Sequence, residues 1–230
     1  MKILLVASDP MEFSGMLSLA SDHGPVPIGV DWARCARLGP YDALLIANGV
    51  GKQRAAAAVD AAAEFAPEAI VSTGFCGALD EALEIGDLVV ATSIDDGKCR
   101  YSVMPIAGGV ETQAGVIRSV DAVAGSAEEK ARLRAEGAAA VEMEAAGVAR
   151  RAADLGLPFH CVRAVTDRAD ESLANDFNRA LRPDGHFDTI SILLGALRDP
   201  AVRLPELLRL RSRSVQAAHI LGDFFADCRL

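Results

Sequence analysis

The sequence predicts an α/β fold, a three-layer α/β/α sandwich built as one unit over residues 1–230. Three observations carry that expectation. Short apolar runs such as Lys2–Ser8 and Phe159–Val165 are nearly continuous, the pattern of strands buried on both faces. Stretches of helical periodicity alternate with them, which suits a sheet layered between helices. Apolar residues make up 51% of the chain, enough for a sizeable core, and no repeat or linker divides it.

Lys2–Ser8, rich in Ile, Leu and Val, reads as the first strand, and Asp9-Pro10 ends it too soon for a signal peptide. Asp22–Gly39, with Gly24, Pro25, Pro27 and Gly29, reads as irregular. Ala43–Asn48 is the next inner strand, followed by the turn Gly49-Val50-Gly51-Lys52 and an alanine-rich helix over Gln53–Phe65. That turn is neither a P-loop, because Gln53 and Ile46 stand where Ser/Thr and Gly are needed, nor a dinucleotide fingerprint, because Arg54 stands where Gly is needed. Ala69–Thr73 is a short strand. It leads into a loop, Gly74-Phe75-Cys76-Gly77-Ala78-Leu79, where Gly74 and Gly77 let backbone come close to a ligand. Ile85–Val90, Tyr101–Ile106 and Gly115–Val120 are further strands. Ser126, with acid at Glu129, is a helix N-cap. Glu144–Leu155 is helical, stopped at Gly156 with Pro158 just beyond, and Phe159–Val165 is a buried strand with Arg163 set inside it. Leu204–Cys228 is a long helix bearing Arg209, Arg211 and Arg213, so residues 200–230 form a C-terminal helical extension.

A net charge of −9 argues against a nucleic-acid or anionic-membrane surface, and no apolar run approaches the roughly 20 residues of a membrane span. Five scattered cysteines without a Cys-x-x-Cys pair point away from zinc or a disulfide framework and toward reduced thiols in a cytoplasmic protein. No metal or cofactor is expected. His186 has no partner at ligand spacing.

Chemistry concentrates in acids at element ends. Glu12 lies just past the first strand, Glu144 at the mouth of a helix and Asp167 at the tip of a strand, the rim where open α/β sheets bind ligands. A carboxylate at a helix N-terminus is expected to stay charged, as suits gripping sugar hydroxyls. An acid desolvated by a ligand has its pKa raised toward proton donation. Taken singly, each is also what an ordinary solvated acid looks like.

Val141-Glu142-Met143-Glu144, followed by Arg163-Ala164-Val165-Thr166-Asp167, resembles the nucleoside phosphorylase/nucleosidase superfamily, most of all the methylthioadenosine/S-adenosylhomocysteine nucleosidases. The Gly-x-Gly-Lys turn, the Thr73-Gly74-x-x-Gly77 loop and Ile85-Gly86-Asp87 are similar to that family's companion motifs, and the likeness covers roughly residues 1–180. It implies a mixed central sheet and hydrolysis of the N-glycosidic bond of a purine, chiefly adenine, nucleoside with a 5′ substituent. Glu12 would activate water with Arg163 beside it, and Asp167 would protonate the leaving purine. Glu144 would hold the ribose hydroxyls, with Met143 under the sugar. Glu142 and the loop residues Gly74, Phe75, Cys76 and Gly77 would complete the substrate site, with Phe177 closing it. The resemblance also implies a homodimer or higher oligomer. The tail is similar to that of the hopanoid-associated branch, which acts on an adenosyl lipid.

Two departures stand out. Phe75 occupies a place where the nucleosidases usually carry Ser, and Val123 and Ala124 fall where they place an aromatic against adenine. The phosphate-gripping arginines of the phosphorylases are absent, one of them replaced near Ser72, and a dianion without charge-assisted donors binds poorly. Water is therefore the expected nucleophile. Phosphorolysis by the same fold, or a nucleoside-binding protein without chemistry, are the alternatives. The whole expectation requires Glu12, Glu144 and Asp167 to converge on one sugar-sized hollow.

Overall fold

A computed structural model describes residues 1–230. Its centre is a mixed sheet of ten strands. β1 (Lys2–Ala7) pairs in parallel with both β4 (Tyr41–Ala47) and β5 (Ala69–Ala78), and β5 pairs in parallel with β10 (Phe159–Asp167). On one side, β4 continues antiparallel into β3 (Trp32–Leu38) and β2 (His23–Pro25). On the other, β10 runs antiparallel to β6 (Leu88–Asp95), β6 pairs with β8 (Thr112–Ser119), and β8 with β9 (Ala140–Glu142). β9 returns to β5, so these five strands close into a ring while β1–β4 form an open wing; β7 (Arg100–Ser102) adds to β6 alone.

Strand alternation builds the layers. Along β1, Leu4 and Val6 face the alanines of α2 (Lys52–Ala61) and α4 (Ala145–Leu155). Ile3 and Leu5 face Phe13 and the opposite layer of α1 (Ser14–Leu19) and α7 (Pro200–Ala226). Both faces are buried, which is why the strand reads as a continuous apolar run. The small residues of α2 and α4 allow close approach: a side chain on Gly147 would overlap the Lys52 carbonyl. Far from hanging off the sandwich, α7 supplies Ala217, Ala218, Leu221, Phe224 and Phe225 to the core.

Three expectations differ from the structure. Asp22–Gly39 is not irregular: β2 and β3 lie within it, and the alternation of buried Ala36 and Leu38 with exposed Cys35 and Arg37 is the strand signal. The strand placed over Ala69–Thr73 runs on to Ala78 through the glycines of the expected loop, because Gly74 pairs with Arg163 of β10 and Gly77 with Val141 of β9. Tyr101–Ile106 holds only the end of the short β7. The remaining helices are α3 (Ala127–Ala135), α5 (Phe177–Ala180) and α6 (Thr189–Ala196).

Candidate active site

The carboxyl ends of the central strands converge. β1 leads into a single 3-10 turn, Pro10–Phe13, started by Asp9 and carrying Glu12. β5 brings Phe75, Cys76 and Gly77, β9 ends on Glu142, and β10 ends on Asp167. These ends surround a cavity of about 230 Å³ lined by Glu12, Phe75, Cys76, Gly77, Glu142, Met143, Glu144 and Asp167, with Ser8, Val50, Val120, Val123, Ala124, Val141, Thr166, Leu173 and Phe187. The three acids of the sequence expectation therefore share one hollow.

Glu12 is fixed before any ligand arrives. Its Oε2 accepts from the Ser8 amide at 2.8 Å, the Ser8 hydroxyl at 2.9 Å and the Asp9 amide at 2.8 Å, and its Oε1 accepts from the Phe75 amide at 2.7 Å. The backbone of residue 75 thus holds Glu12 without a side-chain hydroxyl. Burial raises the Glu12 pKa, against Arg163 and these donors, which favour its ionised form. Gly74 serves this acid more than any ligand. Its φ is 126°, and a Cβ there would overlap the Glu12 carboxyl.

Arg163 is fully buried at the centre of an acidic ring. Its Nη2 donates to Glu142 Oε2 at 2.6 Å and to Ser72 Oγ at 2.8 Å, and its Nη1 lies 3.5 Å from Glu144 Oε2. Burial works against its charge, yet Glu142, Glu144 and Glu12 together keep it firmly protonated. Nε and Nη1 have no hydrogen-bond partner, so donor capacity remains among the acids.

Glu142 is saturated. Besides Arg163, it accepts from the Ser119 hydroxyl and from the amides of Glu144 at 2.8 Å and Ala145 at 2.7 Å, capping the start of α4. It borders the cavity, but its hydrogen-bonding capacity is spent on the protein. Glu144 is less committed, accepting from the Gly51 amide at 3.1 Å and the Met143 amide at 3.3 Å. The expectation that the helix dipole keeps it charged meets a stronger effect: burial, with Glu142 alongside, pushes its pKa up to about 8. Three acids around one guanidinium make a proton on one of them favourable.

Asp167 has a side chain only 16% exposed. Burial raises its pKa, opposed by Lys130, whose ammonium donates to Oδ2. The Thr166 hydroxyl lies 3.2 Å from Oδ1. Gly77 leaves room for this acid, since a Cβ there would sit 2.8 Å from Oδ2. Sequence reasoning missed Lys130, which resembles any lysine of a charged helix start. It also named Phe177 as the residue closing the site. Phe177 lies outside this cavity, edge-on to Phe187 with ring centroids 5.9 Å apart, and Phe187 forms the wall. No spacing rule singles out Phe187; only the return of the chain after α5 brings it there.

Comparison with known proteins places the chain in a family. A family model described as the phosphorylase superfamily matches residues 33–107 and 104–185. The chain belongs to the phosphorylase superfamily. Within that superfamily, the 5′-methylthioadenosine/S-adenosylhomocysteine nucleosidase of Actinobacillus succinogenes is 26% identical over 229 residues, covering 86% of this chain and 99% of the relative. Among solved structures, the Helicobacter pylori nucleosidase of that name, complexed with a substituted pyrrolidin-3-ol, superposes with a TM-score of 0.73 at 20% identity, covering 97% of this chain and 95% of that one. A futalosine hydrolase mutant from Helicobacter pylori superposes with a TM-score of 0.70 at 19% identity, covering 97% of each chain. The mixed-sheet sandwich is thus the superfamily's fold.

Proposed function

We propose that this member of the phosphorylase superfamily is a nucleosidase that hydrolyses the N-glycosidic bond of an adenine nucleoside, with water as the nucleophile. One observation carries the reading: the cavity is lined by four carboxyl groups, Glu12, Glu142, Glu144 and Asp167, and by no Lys or Arg side chain. Arg163 and Lys130 stand behind the acids, each engaged with them. A phosphate dianion would meet carboxyl oxygens and no Lys or Arg in the cavity wall, whereas a polyol and a water find acceptors. The nucleosidase names of the relatives support the same activity.

The reading gives each residue a role. Asp167, protonated, donates to the purine as the C1′–N9 bond breaks and the bonding electrons go to the base. Glu12, ionised and held by its donors, takes a proton from the water that attacks C1′ on the other face. Arg163, with its unpartnered Nη1, steadies that water and the charge of Glu12. Glu144 binds the 2′ and 3′ hydroxyls, which relieve its crowding with Glu142, and Met143 packs under the sugar. Val123, Ala124 and Phe187 bound the base, and Glu142 holds Arg163 and α4 in place. Division of labour between an acid and a base on opposite faces is the general solution for glycosidic bonds. The reading has the enzyme act in the cytoplasm, which the five free cysteines suit, as a homodimer or higher homo-oligomer that sedimentation velocity would count.

The test is a panel of 5′-substituted adenosines, including 5′-methylthioadenosine, assayed for free adenine with and without phosphate. Release at equal rates in both buffers supports the reading. A requirement for phosphate, or tight binding without release over hours, refutes it.

A further inference from the structure

Lys130 is a second fully buried cation beside the site. It sits in the first turn of α3, where the helix dipole disfavours a cation, and it is entirely buried. Its ammonium donates to Asp167 Oδ2, to the Arg168 carbonyl at 2.6 Å and to the Glu171 carbonyl at 3.2 Å. Pinning two carbonyls needs only a neutral donor such as glutamine. A full positive charge at this depth is explained by the carboxyl it touches.

We propose that Lys130 is a positioning residue of the reaction: it fixes one oxygen of Asp167 and receives the negative charge that Asp167 acquires on giving its proton to the base. The proposal rests on the nucleosidase reading. As the C1′–N9 bond breaks and its electrons pass to the purine, the Asp167 proton moves to the base, leaving a carboxylate and a neutral purine. Without a cation, that carboxylate would be left mostly buried at the edge of a cavity that Val123, Ala124 and Leu173 also line, where an unpaired charge is expensive. With Lys130, the donor step ends in an ion pair. Solvent then returns a proton to Asp167 before the next turnover.

The charged and titratable groups around Asp167 are few. Lys130 comes from α3, and the Cys76 thiol, held neutral chiefly by burial, comes from β5. Glu171 follows β10, and its charge is met by Arg213 at 2.7 Å and Arg209 at 3.9 Å, both from α7. Lys130 is thus the cation in direct contact with the acid. Removing it leaves burial unopposed, so the proton is held more tightly and lost at higher pH.

The experiment is the pH dependence of kcat/KM for adenine release from 5′-methylthioadenosine, with thermal melting of every variant. Lys130→Met and Lys130→Gln are expected to move the alkaline limb upward by at least about one pH unit and to lower the plateau tenfold or more. Lys130→Arg, which keeps the charge, is expected to leave the limb within half a unit of wild type. Lys130→Gln retains donors for the two carbonyls, so it carries the test if Lys130→Met does not fold. Folded charge-removing variants whose alkaline limb stays put overturn the proposal, even where their plateau falls, because that is the signature of a merely structural lysine. An inactive wild type, or an Asp167→Asn variant as active as wild type, would instead overturn the nucleosidase reading itself.

Discussion

Asp167 and Glu12 set the residue scale. A general acid or base contributes typically about 10²- to 10⁴-fold, so Asp167→Asn and Glu12→Gln should each lower kcat more than a hundredfold with little change in melting temperature. Steady-state base release at saturating nucleoside measures both. Glu144 allows a test with no substrate present. Its pKa rises from 4.5 in the unfolded reference to about 8 in the folded chain, so the native state binds more protons across that window. Its contribution to stability is therefore full below 4.5 and lost as pH climbs toward 8. The melting temperature of the empty protein should fall between pH 6 and pH 9, and Glu144→Gln should flatten that fall. The motif resemblance led to Glu12, Glu144, Asp167 and Met143, which line one hollow, and to Arg163, which lies behind the acids. It could not reveal that Glu142 is spent on capping α4, nor that Glu144 is crowded enough to hold a proton. Both depend on three acids sharing one arginine, and that sharing is tertiary.

Elements decide how tightly those groups are held. α2 and α4 touch through Gly147, whose missing side chain lets the Lys52 carbonyl approach. Gly147→Ala must push the helices apart, at a cost of about 1–3 kcal/mol, measurable by urea unfolding. It should also raise KM more than it lowers kcat, because Gly51 and Glu144 bridge the same pair of helix starts. Gly74→Ala is more severe for activity, since it strains a backbone at φ 126° and displaces Glu12 as well. Most elements were legible where a buried run or a cap marked them, as in β1, β10, and α3 behind Ser126. β2 was hidden by its own Gly24 and Pro25, and β3, which has neither residue type, by the glycines and prolines just before it, at Gly24–Gly29. The true length of β5 was hidden because Gly-Phe-Cys-Gly looks like a turn until β10 and β9 supply its hydrogen-bond partners. The long tail helix was visible, but its contribution of Phe224 and Phe225 to the core required the opposite sheet face to be known.

At the scale of the molecule, the five-stranded ring and the adjoining end of β1 gather four carboxyl groups around one cavity and keep their counter-cations behind them. That arrangement favours a neutral nucleophile over an anionic one. Phosphate should therefore neither accelerate turnover nor protect the protein from thermal unfolding, in contrast to a ligand bound in the cavity. The central claim is most directly tested by cleaving 5′-methylthioadenosine in ¹⁸O-labelled water containing phosphate and weighing the released sugar. The account predicts a free sugar carrying one ¹⁸O at C1′, with no sugar phosphate; a sugar 1-phosphate without label, or no release of adenine at all, would contradict it.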